Sequence, residues 1–536
     1  MQSDPSLRAA DLLARRLFEA GCRFAFGMPG GEVLTLVDAL EKAGITFILC
    51  KHENNAGFMA EGVHHLTGAP AVLVATVGPG VANAVNVTAN AEQDRVPLIV
   101  LTGCIDADET LTYTHQVFDH RAVFDPITKA SFTLSPAGAD IIADKAVSIA
   151  TEGRSGPVLI DVPISVADAQ PGALPIRRRA PDSPVAPAPG PDLDRARVWL
   201  AEASRPVMIV GLDALKDEAS EHIRAFAEAF HVPVVTSYKA KGVIPEDHPL
   251  SLGGAGLSPL ADRTLVPFVQ SSDLILCVGY DPIEMRPGWR EVWDPAETRV
   301  IDIAAAANRH YMHQASLSFL ADCGAALGAL ADGVAPKETW AGGEIEAARA
   351  ALRDAFPRDD AWGPAGVIAA AREALPPETV ATVDAGAHRI LLSQMWDCPA
   401  PRTLLQSTGL CTMGCAVPLA MGASLADPDR PVVAFCGDGG MLMIAGELAT
   451  AAELGLKTIF VVIDDSSLAL IELKQRQRQL KNAGVDFGQH DFAAIGRAFG
   501  GQGQGIGAAQ AAAGAGDDDG AVVADSHSAS FNSPSP

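Results

Sequence analysis

Residues 431–471 read PVVAFCGDGGMLMIAGELATAAELGLKTIFVVIDDSSLALI. A buried-type run, Val432–Cys436, enters Gly437-Asp438-Gly439-Gly440. A helical stretch follows, and a second apolar run, Thr458–Ile463, ends at Asp464-Asp465. Apolar runs flanking a helix predict a βαβ unit with parallel strands and a right-handed crossover. Asp438 and Asp465 then leave the sheet at one carboxyl edge, where open α/β sheets bind their ligands. Glycines let backbone approach a phosphate, and a helix N-terminus offers amides to it. Two carboxylates and a main-chain carbonyl suit a hard cation such as Mg²⁺ bridging protein and diphosphate. The competing reading makes GDG a turn and DDSS a helix cap, but both halves at one edge favour the cation.

The same alternation runs outward in both directions. Strands are expected at Ile45–Cys50, Ala71–Val77, Pro97–Thr102 and Val158–Asp161, then at Val207–Val210, Val232–Thr236, Leu274–Val278 and Val300–Ile303, and finally at Val380–Val383 beside the two above. The fold class is therefore α/β, with three consecutive doubly wound parallel-sheet domains. Residues 170–192, QPGALPIRRRAPDSPVAPAPGPD, hold seven prolines and form a stiff linker. A second seam at 341–363 takes in a helix, Glu344–Ala355, and the turn-rich FPRDDAWGP. Expected boundaries are 1–169, 193–340 and 364–500, with a tail over 501–536. The tail lacks Leu, is biased to Gly, Ala, Asp and Ser, and is expected to be poorly ordered apart from a strand at Ala521–Ala524. The first and third segments share a layout without a demonstrable sequence repeat.

A length of 536 residues implies roughly three or four domains. The net charge of −25 argues against non-specific binding to nucleic acid or anionic membrane, so a polyanion must be held locally. The N-terminus reads as an amphipathic helix starting near Ser6, without a signal-peptide core, and no apolar run reaches the length of about 18 residues that spans a bilayer. Nine cysteines lack CxxC pairs, so neither a disulfide framework nor a zinc site is implied. A cytoplasmic protein is expected.

The stretch 431–471 resembles the thiamine-diphosphate enzyme signature, a GDG followed some 25–30 residues on by paired asparagines. Here Asp438 stands at the first metal position, Asp465, 27 residues later, at the second, and the Ser467 carbonyl at the third. Both asparagines are replaced, by Asp464 and Asp465. Residues 51–85, KHENNAGFMAEGVHHLTGAPAVLVATVGPGVANAV, resemble the pyrimidine-binding region of the acetolactate synthase group. The resemblance implies that Glu53 protonates N1′ of the aminopyrimidine so that the 4′-imino group can take the C2 proton, which requires a dry carboxyl.

Gly409-Leu410-Cys411-Thr412-Met413-Gly414 resembles the loop whose carbonyl (Cys411) accepts the 4′-amino group and whose apolar side chain (Met413) bends the cofactor. Gly386, Ala387 and His388 match a second diphosphate loop. Pro29, Gly30, Gly437, Gly439, Gly440 and Leu468 complete the implied cofactor contacts, and His115 and Gln116 are expected to face the substrate. The resemblance covers about Leu7 to Ala498 and implies pyrimidine-binding, central and diphosphate-binding domains. It also implies a homodimer or homotetramer whose active sites lie between subunits. In this group a cofactor ylide attacks a 2-keto acid and the resulting enamine is protonated or attacks a second carbonyl.

Two central segments depart from the group. SLGGAGLSPLADR and VGYDPIEMRPGW stand where flavin-contacting segments are usual, so FAD is doubtful, and so is acetolactate as product. A decarboxylase or carboligase acting on a 2-keto acid is expected, with Gln116 and the Leu468–Glu472 region lining the pocket. Two alternatives stand beside it. One is a non-catalytic cofactor-binding paralogue. The other is an NAD-dependent oxidoreductase, because Gly78-Pro79-Gly80 follows a strand; Asn83 occupies the last glycine of that fingerprint, which counts against it.

Overall fold

A computed structural model describes residues 7–171, 178–180, 182–308, 310–358, 363–506 and 522–525. Among the described residues, three six-stranded sheets with all their strand pairings parallel follow one another along the chain. The first contains β1 (Phe24–Met28), β2 (Thr46–Leu49), β3 (Ala71–Ala75), β4 (Leu98–Cys104), β5 (Ala130–Thr133) and β6 (Val158–Pro163) in the order β2-β1-β3-β4-β6-β5. The second contains β7 (Pro206–Val210), β8 (Val234–Ser237), β9 (Ser251–Ala255), β10 (Leu274–Val278), β11 (Arg299–Ala304) and β12 (Leu317–Leu320) in the order β12-β11-β10-β7-β8-β9. The third contains β13 (Val380–Val383), β14 (Leu404–Gln406), β15 (Val432–Gly437), β16 (Ile459–Asp464), β17 (Gln504–Ile506) and β18 (Val522–Asp525). Its order, β14-β13-β15-β16-β18-β17, repeats that of the first sheet strand for strand.

All expected strands are present within one or two residues of their bounds. Sequence patterning missed β1, β5, β9, β12, β14 and β17. The reason is local: FAFGM carries no β-branched residue, SLGGA is rich in glycine, and LLQ and QGI are only three residues long. The first helix starts at Ala9 rather than near Ser6, because the Arg8 amide and guanidinium both bond the Asp11 carboxylate and close the turn there. The expected tail strand is found as Val522–Asp525, beside β16 and β17; residues 507–521 and 526–536 of the tail lie outside the described residues. Within the expected linker 170–192, residues 172–177 and 181 likewise lie outside them. Among the described residues no helix is long and apolar enough to cross a membrane.

A helix crossing joins the first and third sheets. Helix Glu53–Thr67 packs on helix Ala416–Ala426, and the two share a single apolar core with both sheets. A Cβ on Gly62 would lie 2.2 Å from the Leu419 carbonyl oxygen, and one on Gly422 would lie 2.0 Å from that of Met59. Glycine at both positions is what allows the two backbones to touch. The crossing fixes Glu53, the first residue of its helix, relative to residues 407–414 just ahead of the other.

Candidate active site

At the first sheet, the turns after β1, β2 and β3 meet at the carboxyl edge. Pro29-Gly30 follows β1, and a Cβ on Gly30 would fall 2.1 Å from Thr76 Oγ1, so this turn lies directly on the one after β3. Glu53 follows β2. The His52 ring accepts the Asn54 amide (3.1 Å) and caps the helix that Glu53 opens. Glu53 is buried, only 4% exposed. Asn83 Nδ2 donates to its Oε2 at 3.0 Å, and its Oε1 faces Gly80, where a Cβ would come within 3.1 Å. The turn 76–83 therefore serves the glutamate. Asn83, which spoils the dinucleotide fingerprint, is the residue that holds Glu53, and Gly78 (φ +73°) is backed by Gln116. His115 and Gln116 are exposed, and Gln116 adopts a left-handed φ of +61° as it passes Gly78.

At the third sheet the turns after β13, β14, β15 and β16 converge. Gly437 pairs in register with Ile463, so Asp438 and Asp464-Asp465 leave the sheet side by side, as the βαβ reading requires. The Asp438 Oδ1 accepts the Gly439 amide at 2.6 Å, whereas its buried Oδ2 has no protein partner. Burial, with Asp465 and Asp464 adding repulsion, pushes its carboxyl up to about 6. Asp464 is buried and turns back to accept the Ser466 amide (3.0 Å) and hydroxyl (3.2 Å), while the exposed Asp465 accepts the Ser467 amide (3.2 Å). The Leu468 amide is tied to the Val485 carbonyl, which fixes the turn that presents Ser467. The helix that opens at Asp438 and includes Gly439 and Gly440 is short, ending at Ile444.

His388 lies against both diphosphate-type loops. Its ring carbon Cε1 is 2.6 Å from where a Gly386 Cβ would stand and 3.3 Å from that of Gly437. Burial lowers its pKa to about 4, so the ring is neutral, and its Nε2 has no protein partner. Ala387 opens the helix that carries it. Met413 reaches Gly439, whose Cβ would be 3.2 Å from the methionine Cε, and Cys411 has φ +52°, with its thiol bonded by Arg389 at 2.8 Å. Asp384 is fully buried, accepts the Gly414 and Cys415 amides (2.9 and 3.1 Å), and is pushed up to about 6 by burial. A Cβ on Gly440 would stand 1.8 Å from Asp384 Oδ2.

The two orphaned buried atoms, Asp438 Oδ2 and His388 Nε2, fit a bound cation and a phosphate respectively. Among the described residues no three His, Cys, Asp or Glu side chains converge as a metal cage. A cation at this edge would thus be held by the two aspartates and the Ser467 carbonyl, with ligand oxygens completing the shell.

Three family models match in order along the chain. The N-terminal TPP-binding domain of thiamine pyrophosphate enzymes matches residues 7–123, the central domain 193–330, and the C-terminal TPP-binding domain 384–518. The chain belongs to the thiamine pyrophosphate enzyme family. It is 31% identical over 513 residues to an acetolactate synthase of Bacillus subtilis, covering 92% of this chain and 88% of that protein. Against the acetolactate synthase isozyme 1 large subunit of Escherichia coli the identity is 31%, over 87% of this chain and 83% of the relative. A probable acetolactate synthase large subunit of Methanocaldococcus jannaschii is 30% identical, over 92% and 86%.

Two members of this site were not visible in the sequence. Asn83 was noticed only as a defect in another motif. Glu447 is fully buried and accepts the Lys51 amide (3.1 and 3.2 Å), Asn55 Nδ2 (3.0 Å) and Thr450 Oγ1 (2.8 Å), so it ties the turn on either side of Glu53 to the third sheet. Its position in a plain helical stretch gave no signal; only the fold brings residues almost 400 positions apart together.

Proposed function

We propose that the chain is a thiamine-diphosphate- and Mg²⁺-dependent enzyme that decarboxylates a 2-keto acid or passes the resulting acyl unit to a second carbonyl. The observation that carries this reading is the division of labour between two sheet edges. One holds a buried carboxyl steadied by Asn83; the other holds an orphaned aspartate oxygen and an orphaned imidazole nitrogen. Bound there, thiamine diphosphate would supply the electron sink for cleavage next to a carbonyl. Residues 1–169, 193–340 and 364–500 serve as pyrimidine-binding, central and diphosphate-binding units.

Glu53 would hold the proton exchanged with the pyrimidine ring of the bound cofactor. Asn83 fixes Oε2 and leaves Oε1 beside the side-chain-free Gly80. The Cys411 carbonyl would accept the cofactor's amino group, and Met413, packed against Gly439, would support the ring system. Asp438, Asp465 and the Ser467 carbonyl hold Mg²⁺. His388 donates from Nε2 to the diphosphate, and Gly386, Ala387, Gly437, Gly439, Gly440 and Leu468 give it backbone access, with Pro29 and Gly30 at the pyrimidine end. His115, Gln116 and the Leu468–Glu472 segment face the keto acid. Flavin is left out because both central segments depart from the flavin-contacting pattern.

The active sites lie between subunits of a homodimer or homotetramer. The test is CO₂ release from a panel of 2-keto acids by purified protein with thiamine diphosphate and Mg²⁺, with mass spectrometry of any carboligated product. Tight cofactor binding without turnover of any keto acid would instead mark a non-catalytic member. Absence of 450-nm absorbance from the purified protein checks the flavin statement, and light scattering checks the oligomer.

A further inference from the structure

We infer that Lys239, a side chain of the second sheet's unit, is a positioning residue that holds residues 407–414 in the shape that binds the cofactor. This rests on the reading above, in which Cys411 and Met413 of that segment grip the pyrimidine. Lys239 follows β8, is 8% exposed, and its ammonium lies 2.9 Å from Asp94 Oδ2 and 3.6 Å from Glu61 Oε1. Both carboxylates belong to the first sheet's unit and are buried, at 2% and 1% exposure. Asp94 in turn grips the segment itself: the Thr408 amide donates to its Oδ2 (3.0 Å) and the Gly409 amide to its Oδ1 (2.8 Å).

A second arm runs through Glu61. Asn90 Nδ2 donates to Glu61 Oε2 (3.1 Å), Ser407 Oγ donates to Asn90 Oδ1 (2.6 Å), and the Thr412 amide donates to Ser407 Oγ (3.0 Å). Residues on both sides of Cys411 are thus fastened to two buried carboxylates that share one ammonium. His65 Nε2 also reaches Glu61 Oε1 (3.2 Å), but burial lowers the pKa of that ring well below its ordinary value, so it stays neutral. A buried carboxylate without a counter-charge is expelled toward water or takes up a proton. Expulsion would release the amides of Thr408 and Gly409, and protonation would leave one good acceptor for the two, so that in either case the segment could drift. The central unit thereby acts on cofactor binding without touching the cofactor.

The test compares the parent with Lys239→Met and Lys239→Arg in the presence of Mg²⁺. Thiamine diphosphate affinity is measured by calorimetry, and hydrogen exchange at residues 407–414 is measured on the cofactor-free proteins. Lys239→Met is expected to weaken cofactor affinity at least tenfold and to speed exchange at the Thr408, Gly409 and Thr412 amides. Lys239→Arg should restore both to within about threefold. A Lys239→Met protein that melts earlier but keeps parental affinity and exchange would reduce the lysine to a purely structural part and overturn the inference.

Should Lys239→Met fail to fold, Asp94→Asn replaces it. It keeps one acceptor for the two amides, the same tenfold loss is expected, and unchanged affinity again overturns the inference. If the parent itself does not bind thiamine diphosphate, the functional reading fails. The exchange data then decide alone: faster exchange in the methionine variant with rescue by arginine upholds the positioning role, and equal exchange rejects it.

Discussion

The first and third sheets share one strand order but carry opposite chemistry at their carboxyl edges. The first presents the buried carboxyl of Glu53, which accepts the neutral amide of Asn83, while Glu32 beside it accepts the Thr76 hydroxyl. The third carries Asp384, Asp438, Asp464 and Asp465 at its strand ends, with an Asp438 oxygen left unpaired and the neutral His388 ring against Gly386 and Gly437. A buried carboxyl that accepts from a neutral amide suits a group that must carry a proton. A crowded anionic edge suits a cation. Topology supplies the same platform twice, and the few residues after each strand decide what it does.

The most severe way to break the comparison is at the proton-carrying side. Glu53→Gln retains size and the Asn83 contact but cannot exchange a proton. Turnover of the best keto acid is expected to fall on the order of 10²- to 10⁴-fold, the usual contribution of a positioned acid or base, with little change in melting temperature. Steady-state CO₂ release checks it, and parental turnover would remove Glu53 from the mechanism. At the other edge, Asp438→Ala or EDTA treatment should weaken thiamine diphosphate binding by about a hundredfold or more, since even residues outside the ligand shell affect metal affinity about 10- to 100-fold. Cofactor binding by calorimetry that survives EDTA would refute the cation role.

The helix crossing that joins the two edges gives a smaller effect. Gly62→Ala places a methyl 2.2 Å from the Leu419 carbonyl oxygen, so the two helices must move apart. Overpacking of this kind costs about 1–3 kcal/mol, to be read from the denaturation midpoint. Because the crossing sets the Glu53 edge and residues 407–414 of one chain relative to each other, and each is proposed to complete a site with a partner subunit, cofactor affinity should fall alongside stability, whereas a loss of stability alone would separate the crossing from the site.

How much of this the sequence revealed depended on distance along the chain. Asp438 and Asp465 could be placed together because 27 residues and one helix separate them, and parallel βαβ geometry leaves little choice. Glu53 drew notice only through the resemblance of residues 51–85 to a pyrimidine-binding region, since a glutamate at a helix start otherwise reads as a cap. The residues that steady it did not: Asn83 and Glu447 reach it, or its neighbours, only through the fold. Lys239 was equally silent, since a lysine after a strand in another domain reads as a solvated charge until Asp94 and Glu61 are found around it. Short or glycine-rich strands such as β14 and β9 escaped because three residues, or a run without β-branches, give no period to detect.

The smallest expected effect sharpens the comparison. Asp465→Asn restores the amide that is usual at the second metal position in this family and removes one negative charge from the third edge. An asparagine oxygen still ligates a hard cation, so the site should survive. With one charge fewer, free Mg²⁺ should bind at least several-fold more weakly, since unit charges about 4 Å apart interact by about 1 kcal/mol even in bulk water and by more near a protein surface. Repulsion between Asp465 and the diphosphate is relieved at the same time, so at saturating Mg²⁺ cofactor affinity should hold or improve. A magnesium titration at fixed cofactor, followed by a cofactor titration at saturating magnesium, reads the two terms separately. Should both affinities fall together by a hundredfold, Asp465 would be acting through the turn it caps at Ser467 rather than through its charge.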